Sequence, residues 1–339
     1  MMANKRRFFW TIFLLFLVIA SVLIIRQNKS TPYQVASGKI FGTFYQVIYQ
    51  NDNKLDKELE DELRKINNEF SIFLDGSTVS AINQNISQGE LTDMFLEVLK
   101  IAQETNKETD GAFDITVAPL VNAWGFGFQQ RENISQQRID SLLEIIGQDK
   151  IKLENRKIIK ENPRTMLDFG AIAKGYACDV IGRMLKKNDI QNFMIEIGGE
   201  IVVHGKNAEN QTWRIGVNRP DDDRSGTRRD LQTILQVTDK AIATSGNYRN
   251  FYYEDGKKYA HSINPKTGYP VEHSLLSATV IANNCATADA YATSFMVMGI
   301  EKAKKVLEKH GELSAFFIYA DEEGNYKTWE KNLDKYKVK

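Results

Sequence analysis

Cysteine is nearly absent: 339 residues contain only Cys178 and Cys285. Two distant thiols cannot staple a small secreted scaffold, and their spacing is wrong for zinc. They read as packed thiols, with a single bridge between them as the alternative in an oxidising compartment. Histidine is scarce too. His204, His261, His273 and His310 form no metal-type pair on one helical face, which argues against a histidine metal centre. Neither charge is in excess, with 44 Lys plus Arg against 44 Asp plus Glu, so no whole-chain field draws the protein to nucleic acid. No repeat or low-complexity tract interrupts the chain. No Walker glycine pattern is present, and Ser245 lacks the glycine two residues earlier that a nucleophile elbow requires.

The chain does contain one long uncharged run, Phe8 to Ile25, preceded by Lys5, Arg6 and Arg7. That length is about the minimum for a helix crossing a bilayer, and the basic flank favours a cytoplasmic N-terminus. A single-pass cell membrane protein with its folded part on the extracytoplasmic side is expected. A cleaved signal peptide is the competing reading, although no convincing small-residue cleavage pattern follows the run. No cysteine lies near it, which excludes a lipid-modified terminus. The expected organisation is a cytoplasmic end and anchor over residues 1–29, a tether over 30–38 containing Thr31-Pro32, and a folded unit over 39–339.

Helical and strand periodicities are mixed along that unit. Leu55, Leu59, Leu63, Ile66 and Phe70 predict an amphipathic helix from Leu55 to Phe70, and Phe95, Val98, Leu99 and Ala102 predict another from Thr92 to Thr105. Ile151 to Lys160 reads as a hairpin turning at Asn155-Arg156. Further strands are expected at Tyr45 to Tyr49, Phe193 to Val203, Leu231 to Val237, Ser277 to Ala282 and Ala315 to Tyr319. The order is not a strict βαβ alternation, so an α+β fold with mixed, mainly antiparallel sheets and packed helices is expected.

Several segments carry chemistry. In Ala288-Asp289-Ala290-Tyr291-Ala292-Thr293 a carboxylate and a hydroxyl stand one helical turn apart inside the apolar run from Ala286 to Met298, a hard-oxygen pair suited to magnesium. Asp168-Phe169-Gly170-Ala171-Ile172-Ala173-Lys174-Gly175 leads into a helix ending near Lys187. Its small-residue turn can seat a phosphate at the helix N-terminus, with Lys174 adding charge, or it can simply allow close packing. Glu196-Ile197-Gly198-Gly199-Glu200 and Ala243-Thr244-Ser245-Gly246-Asn247-Tyr248-Arg249 are further tight backbone sites; in the second, hydroxyls beside a glycine can donate to phosphate or carbonyl oxygens and Arg249 can meet an anion, or the segment is an ordinary turn. His261-Ser262-Ile263-Asn264-Pro265-Lys266-Thr267-Gly268-Tyr269-Pro270 presents a histidine at the end of a strand-like stretch, either a proton acceptor for a hydroxyl nucleophile or a structural hydrogen-bonding group. The stretch from Thr109 to Gly127 mixes glycines with aromatics that suit either a stacked heterocycle or a core.

Together these segments resemble the ApbE family of flavin transferases, which move FMN from FAD onto a hydroxyl of a target protein. The resemblance runs from Phe41-Gly42-Thr43 to Thr293 in the family's order. It implies an α+β fold with a flavin nucleotide in a cleft between two lobes, and a magnesium requirement. It implies metal contacts from Asp289, Thr293 and the backbone oxygen of Ala171. FAD contacts are implied for Phe41, Phe73, Ala112, Phe113, Asp114, Asp168, Lys174 and Ile263. Phe41 stands where the family commonly has methionine.

The resemblance also implies an acceptor protein with a D-x-x-[ST]-G-A-[ST]-like motif, whose last hydroxyl would attack the FMN-side phosphorus and release AMP. His261 is the candidate for positioning or deprotonating that hydroxyl. Two other readings stand beside transfer: hydrolysis of FAD to FMN and AMP, and flavin binding without chemistry.

Overall fold

The computed structural model describes residues 10–11, 13–18, 31–86, 89–127, 134–220, 230–247, 251–254 and 257–337. Ten of the eighteen residues of the expected anchor, Phe8 to Ile25, lie outside them. Among the described residues no helix is long and apolar enough to cross a membrane.

One antiparallel sheet organises the rest. Its eight strands are β1 (Tyr33–Ile40), β2 (Thr43–Gln50), β5 (Phe193–Ile197), β6 (Glu200–His204), β9 (Lys240–Gly246), β12 (Leu275–Ala282), β13 (Ser314–Ala320) and β14 (Tyr326–Lys331), neighbours in that order. Three separate hairpins complete the strands: β3 (Ile151–Glu154) with β4 (Lys157–Lys160), β7 (Trp213–Asn218) with β8 (Leu231–Val237), and β10 (Phe251–Glu254) with β11 (Lys257–Ala260). The expected α+β class with mainly antiparallel pairing is therefore the observed one.

Both helices expected from periodicity form. The helix α1 (Asp56–Phe70) buries Leu59, Leu63, Ile66 and Phe70. After α2 (Thr78–Asn83), α3 (Asp93–Glu108) starts where the Thr92 hydroxyl accepts from Phe95 N, and it runs one turn beyond Thr105 to bury Thr105 itself. The short α4 (Ala118–Ala123) and α5 (Gln136–Leu143) form a small cluster with Ile263. The largest core lies between the sheet and α1, α3 and α6 (Ala173–Lys187). A second core is built by α7 (Cys285–Met298) and α8 (Ile300–Lys309) on β12 and β13, and a third packs the β7–β8 hairpin on the sheet's other face.

Two expectations change. The tether read over 30–38 is mostly strand: Tyr33 to Ile40 pairs with β2 in register from Tyr33 opposite Gln50 to Ile40 opposite Thr43. An edge strand needs only one apolar face, and here Ala36 is buried while Val35 is exposed, which hides it from a hydrophobicity reading. The single strand read from Phe193 to Val203 is two, folded at Gly198-Gly199, whose φ values of 67° and 107° suit glycine.

Candidate active site

The site forms where α6 and α7 meet the middle of the sheet. Helix α7 is apolar on all sides and almost wholly buried, as expected for a helix threaded through a core. Its N-terminus is fixed twice: the Asn284 side chain accepts from Thr287 N, and the Asp179 carboxylate of α6 accepts from Cys285 N and Ala286 N. Cys178 and Cys285 are free and fully buried at this junction. Gly175 makes the approach possible, since a β-carbon there would sit 2.3 Å from the Cys285 carbonyl oxygen. The segment's glycine therefore serves packing and the site together: the close approach puts Gly175 N 3.1 Å from Asp289 Oδ2, to which it donates.

Next to it lie three charges. Lys174 Nζ is 3.5 Å from Asp289 Oδ2, 3.5 Å from Glu200 Oε1 and 3.2 Å from the Gly170 carbonyl. Burial alone would lower the Lys174 ammonium, but the charges of Asp289 and Glu200 outweigh it and hold the group above its ordinary value. Burial pushes the Glu200 carboxyl up to about 8 against the pull of Lys174, with Asp289 adding to the rise. Asp168 is also pushed up by burial, opposed by a 2.7 Å bond from Gly170 N to its Oδ1 and by the Lys174 charge. Asp114 follows the same rule: burial raises it although its Oδ1 accepts from the backbone and hydroxyl of Thr116.

These groups line one cavity of about 420 Å³, within the size range of small-molecule sites. Of the residues singled out in the sequence, it brings together Ala112, Phe113, Asp114, Asp168, Ala171, Lys174, His261, Ile263, Asp289 and Thr293. His261 follows β11, and its ring meets Phe126 edge-on at 6.4 Å between centroids. Thr293 lies one turn beyond Asp289 on α7, its hydroxyl 3.1 Å from that of Ser245 on β9.

Two expected flavin contacts are elsewhere. Phe41 is half-buried in the β1–β2 turn at a φ of 52° and packs on the main core, while Phe73 is 73% exposed in the loop after α1; neither lines the cavity. Arg249 lies outside the described residues. Sequence reasoning assigned no role to Glu200 or Val297, which line the cavity together with Thr244 and Ser245, the hydroxyls expected to donate to phosphate or carbonyl oxygens. For Glu200 the signal was an acid opening an apolar strand directly after two glycines.

The donor set fits a hard cation better than a soft one. Among the described residues no three of His, Cys, Asp and Glu gather in a metal-type cluster. What the cavity offers is the 2% exposed carboxylate of Asp289, the Thr293 hydroxyl and the Ala171 backbone, with Glu200 Oε2 buried and without a hydrogen-bond partner. Oxygen donors with room for water and phosphate suit magnesium.

The ApbE family model matches residues 41–317. A FAD:protein FMN transferase of Haemophilus influenzae is 37% identical over 314 residues, covering 88% of this chain and 89% of that protein. One from Escherichia coli K12 is 32% identical over 316 residues, covering 89% and 88%. The solved structure of the flavin transferase ApbE from Vibrio cholerae matches with a TM-score of 0.80 and 34% identity, over 90% of this chain and 99% of that one. The apo form of the Pseudomonas stutzeri flavinyl transferase ApbE matches with a TM-score of 0.80 and 29% identity, over 92% and 99%. With the family pattern spanning most of the folded part and relatives alike over nearly their whole length, this chain belongs to the ApbE family.

Proposed function

We propose that this protein is a magnesium-dependent FAD:protein FMN transferase that moves FMN onto a threonine or serine hydroxyl of an exported or membrane-bound acceptor. The observation that carries the reading is the convergence of Asp289, Thr293, Lys174 and His261 on one cavity. Asp289, Thr293 and the Ala171 carbonyl would hold the magnesium. When bound, that ion supplies a Lewis acid that offsets charge on the phosphate oxygens.

The residues supply the rest. Lys174 and the N-terminus of α6 draw the diphosphate of FAD towards the carboxylates by charge and dipole. Asp168 and Asp114, half-buried at the cavity wall, accept hydrogen bonds from the nucleotide, and Phe113, Ala112 and Ile263 supply apolar surface. His261 orients the acceptor hydroxyl and takes its proton. The hydroxyl oxygen then forms a bond to the FMN-side phosphorus, the bridging P–O bond breaks with its electron pair on the AMP side, and AMP leaves.

The acceptor motif is D-x-x-[ST]-G-A-[ST]-like, with the last hydroxyl modified. The run Phe8 to Ile25 and its basic flank support anchoring in the cell membrane with the active site outside the cytoplasm.

The test is incubation with FAD and magnesium, with and without a peptide carrying the acceptor motif, followed by mass spectrometry. Peptide bearing FMN is expected. Release of AMP indifferent to the peptide would make the protein a FAD pyrophosphatase, and unchanged FAD after prolonged incubation would make it a flavin-binding protein.

A further inference from the structure

Once Glu200 is ionised, above the value of about 8 to which burial pushes it, the charges around Lys174 do not balance. Two nearly buried carboxylates, Asp289 and Glu200, stand at the same 3.5 Å from one ammonium, with side chains 2% and 5% exposed. Asp289 Oδ2 has a second partner in Gly175 N, whereas Glu200 Oε2 is buried with no hydrogen-bond partner. A buried carboxylate oxygen left in this way is costly unless a charge elsewhere compensates it. If the ammonium served only as the partner of Asp289, Glu200 would add cost and nothing else.

The surroundings of Glu200 are rigid. Its backbone carbonyl accepts from Cys178 Sγ at 3.3 Å, and it follows the left-handed Gly198-Gly199 turn. The stem of Lys174 runs past that turn, where a β-carbon on Gly198 would lie 3.3 Å from Lys174 Cδ. The backbone of Glu200 is thus held, and the ammonium stands at equal distance between its two acids.

We infer that Glu200 is a positioning residue: it offers Lys174 an alternative counter-ion, so that Asp289 is released to bind a divalent cation while the ammonium stays at the cavity wall. The inference rests on the metal reading proposed above. A cation on Asp289 repels the ammonium only 3.5 Å away, and Glu200 is the acid within reach to receive it. Without the charge on Glu200, Lys174 has Asp289 as its sole carboxylate and competes with the cation for it. The same residue explains how one cavity holds both a metal and a lysine beside a single aspartate.

The test is calorimetric titration of magnesium chloride into the FAD-free protein at pH 9, where Glu200 is ionised, so that its charge is present and no turnover enters the readout. Glu200→Gln keeps the shape and removes the charge. It is expected to weaken magnesium binding by about 10- to 100-fold, the range seen when a residue supporting a metal ligand is lost. Glu200→Asp is expected to recover part of that loss. In a Lys174→Met background, where no ammonium competes, Glu200→Gln is expected to change magnesium affinity by less than about threefold, which the double-mutant cycle reads as coupling.

Wild-type affinity in Glu200→Gln would overturn the inference. So would an equal loss in both backgrounds, which would mean simple attraction at a distance, or a Glu200→Gln protein that fails to fold. A wild-type protein that takes up no magnesium would overturn the metal reading, and this inference with it.

Discussion

Asp289 and His261 line one cavity from different parts of the chain, and their substitutions should separate metal from proton chemistry. Asp289 is buried on α7 and anchored by Gly175 N, so Asp289→Ala removes the proposed hard ligand without touching an apolar wall. Magnesium-dependent turnover should fall by at least about 100-fold, the scale of losing one preorganised charge-stabilising group. Binding of FAD, followed by flavin fluorescence, should persist. Turnover at the wild-type rate would remove Asp289 from the metal site. His261→Ala should slow transfer by about 10²- to 10⁴-fold, the usual contribution of a positioned acid or base, with a much smaller change in FAD affinity. Parallel losses in rate and affinity would instead make His261 a structural support beside Phe126.

Among the helices, the junction of α6 with α7 is the feature most exposed to single substitutions. A methyl group at Gly175 would meet the Cys285 carbonyl at 2.3 Å and its carbon at 2.6 Å, both backbone atoms that cannot rotate away. Gly175→Ala should therefore destabilise by about 1–3 kcal/mol, as overpacking does, and should also reduce turnover by displacing Asp289 from Lys174. Urea denaturation and the transfer assay read the two effects, and a stable but inactive variant would place the glycine's role in the site alone.

Asp179, at the same junction, is pushed up to about 6 by burial although three backbone N–H bonds at the start of α7 favour its charged form. A carboxyl raised above its unfolded value of 3.8 binds its proton more tightly in the native state. Its stabilising share is complete below that value and disappears as pH rises through about 6. Between pH 4.5 and pH 7.5 the wild type should lose more stability than Asp179→Asn in urea denaturation. Equal slopes would mean that the cap bonds outweigh burial.

How readily these features could be read from the chain follows the distance over which they are built. Asp289 and Thr293 share a face because a helix repeats every 3.6 residues, and the apolar run around them already marked a buried helix. Lys174 was visible because the glycine-bearing turn and the helix after it are local. Glu200 was not, because only the antiparallel return of β6 beside β5, covered by α6, carries it to Lys174 and Asp289. Phe73 shows the opposite limit: a resemblance names it as a flavin contact, while its loop leaves the ring exposed and outside the residues that line the cavity.

For the whole molecule, the question is where the folded unit begins and what the preceding segment does. The first strand sets the answer. Gln50 Nε2 donates to the Thr31 carbonyl at 2.9 Å, Asn51 N donates to the Pro32 carbonyl at 3.0 Å, and the Tyr33 hydroxyl donates to the Lys206 carbonyl at 2.7 Å. A chain starting at Thr31 keeps all three bonds and the whole β1–β2 ladder, so its melting temperature and its transfer to a soluble acceptor peptide should match those of the full chain. A chain starting at Lys39, where the sequence alone put the domain boundary, loses most of β1. That exposes the β2 edge and uncovers Tyr45, which packs over Gly38, so the variant should melt lower and aggregate more readily. Fractionation completes the comparison: the full chain should sediment with membranes and the Thr31 start should not. Equal solubility of both would remove the anchor while leaving the fold and the chemistry of the cavity intact, because the described residues that build the main core and line the cavity all follow Thr31.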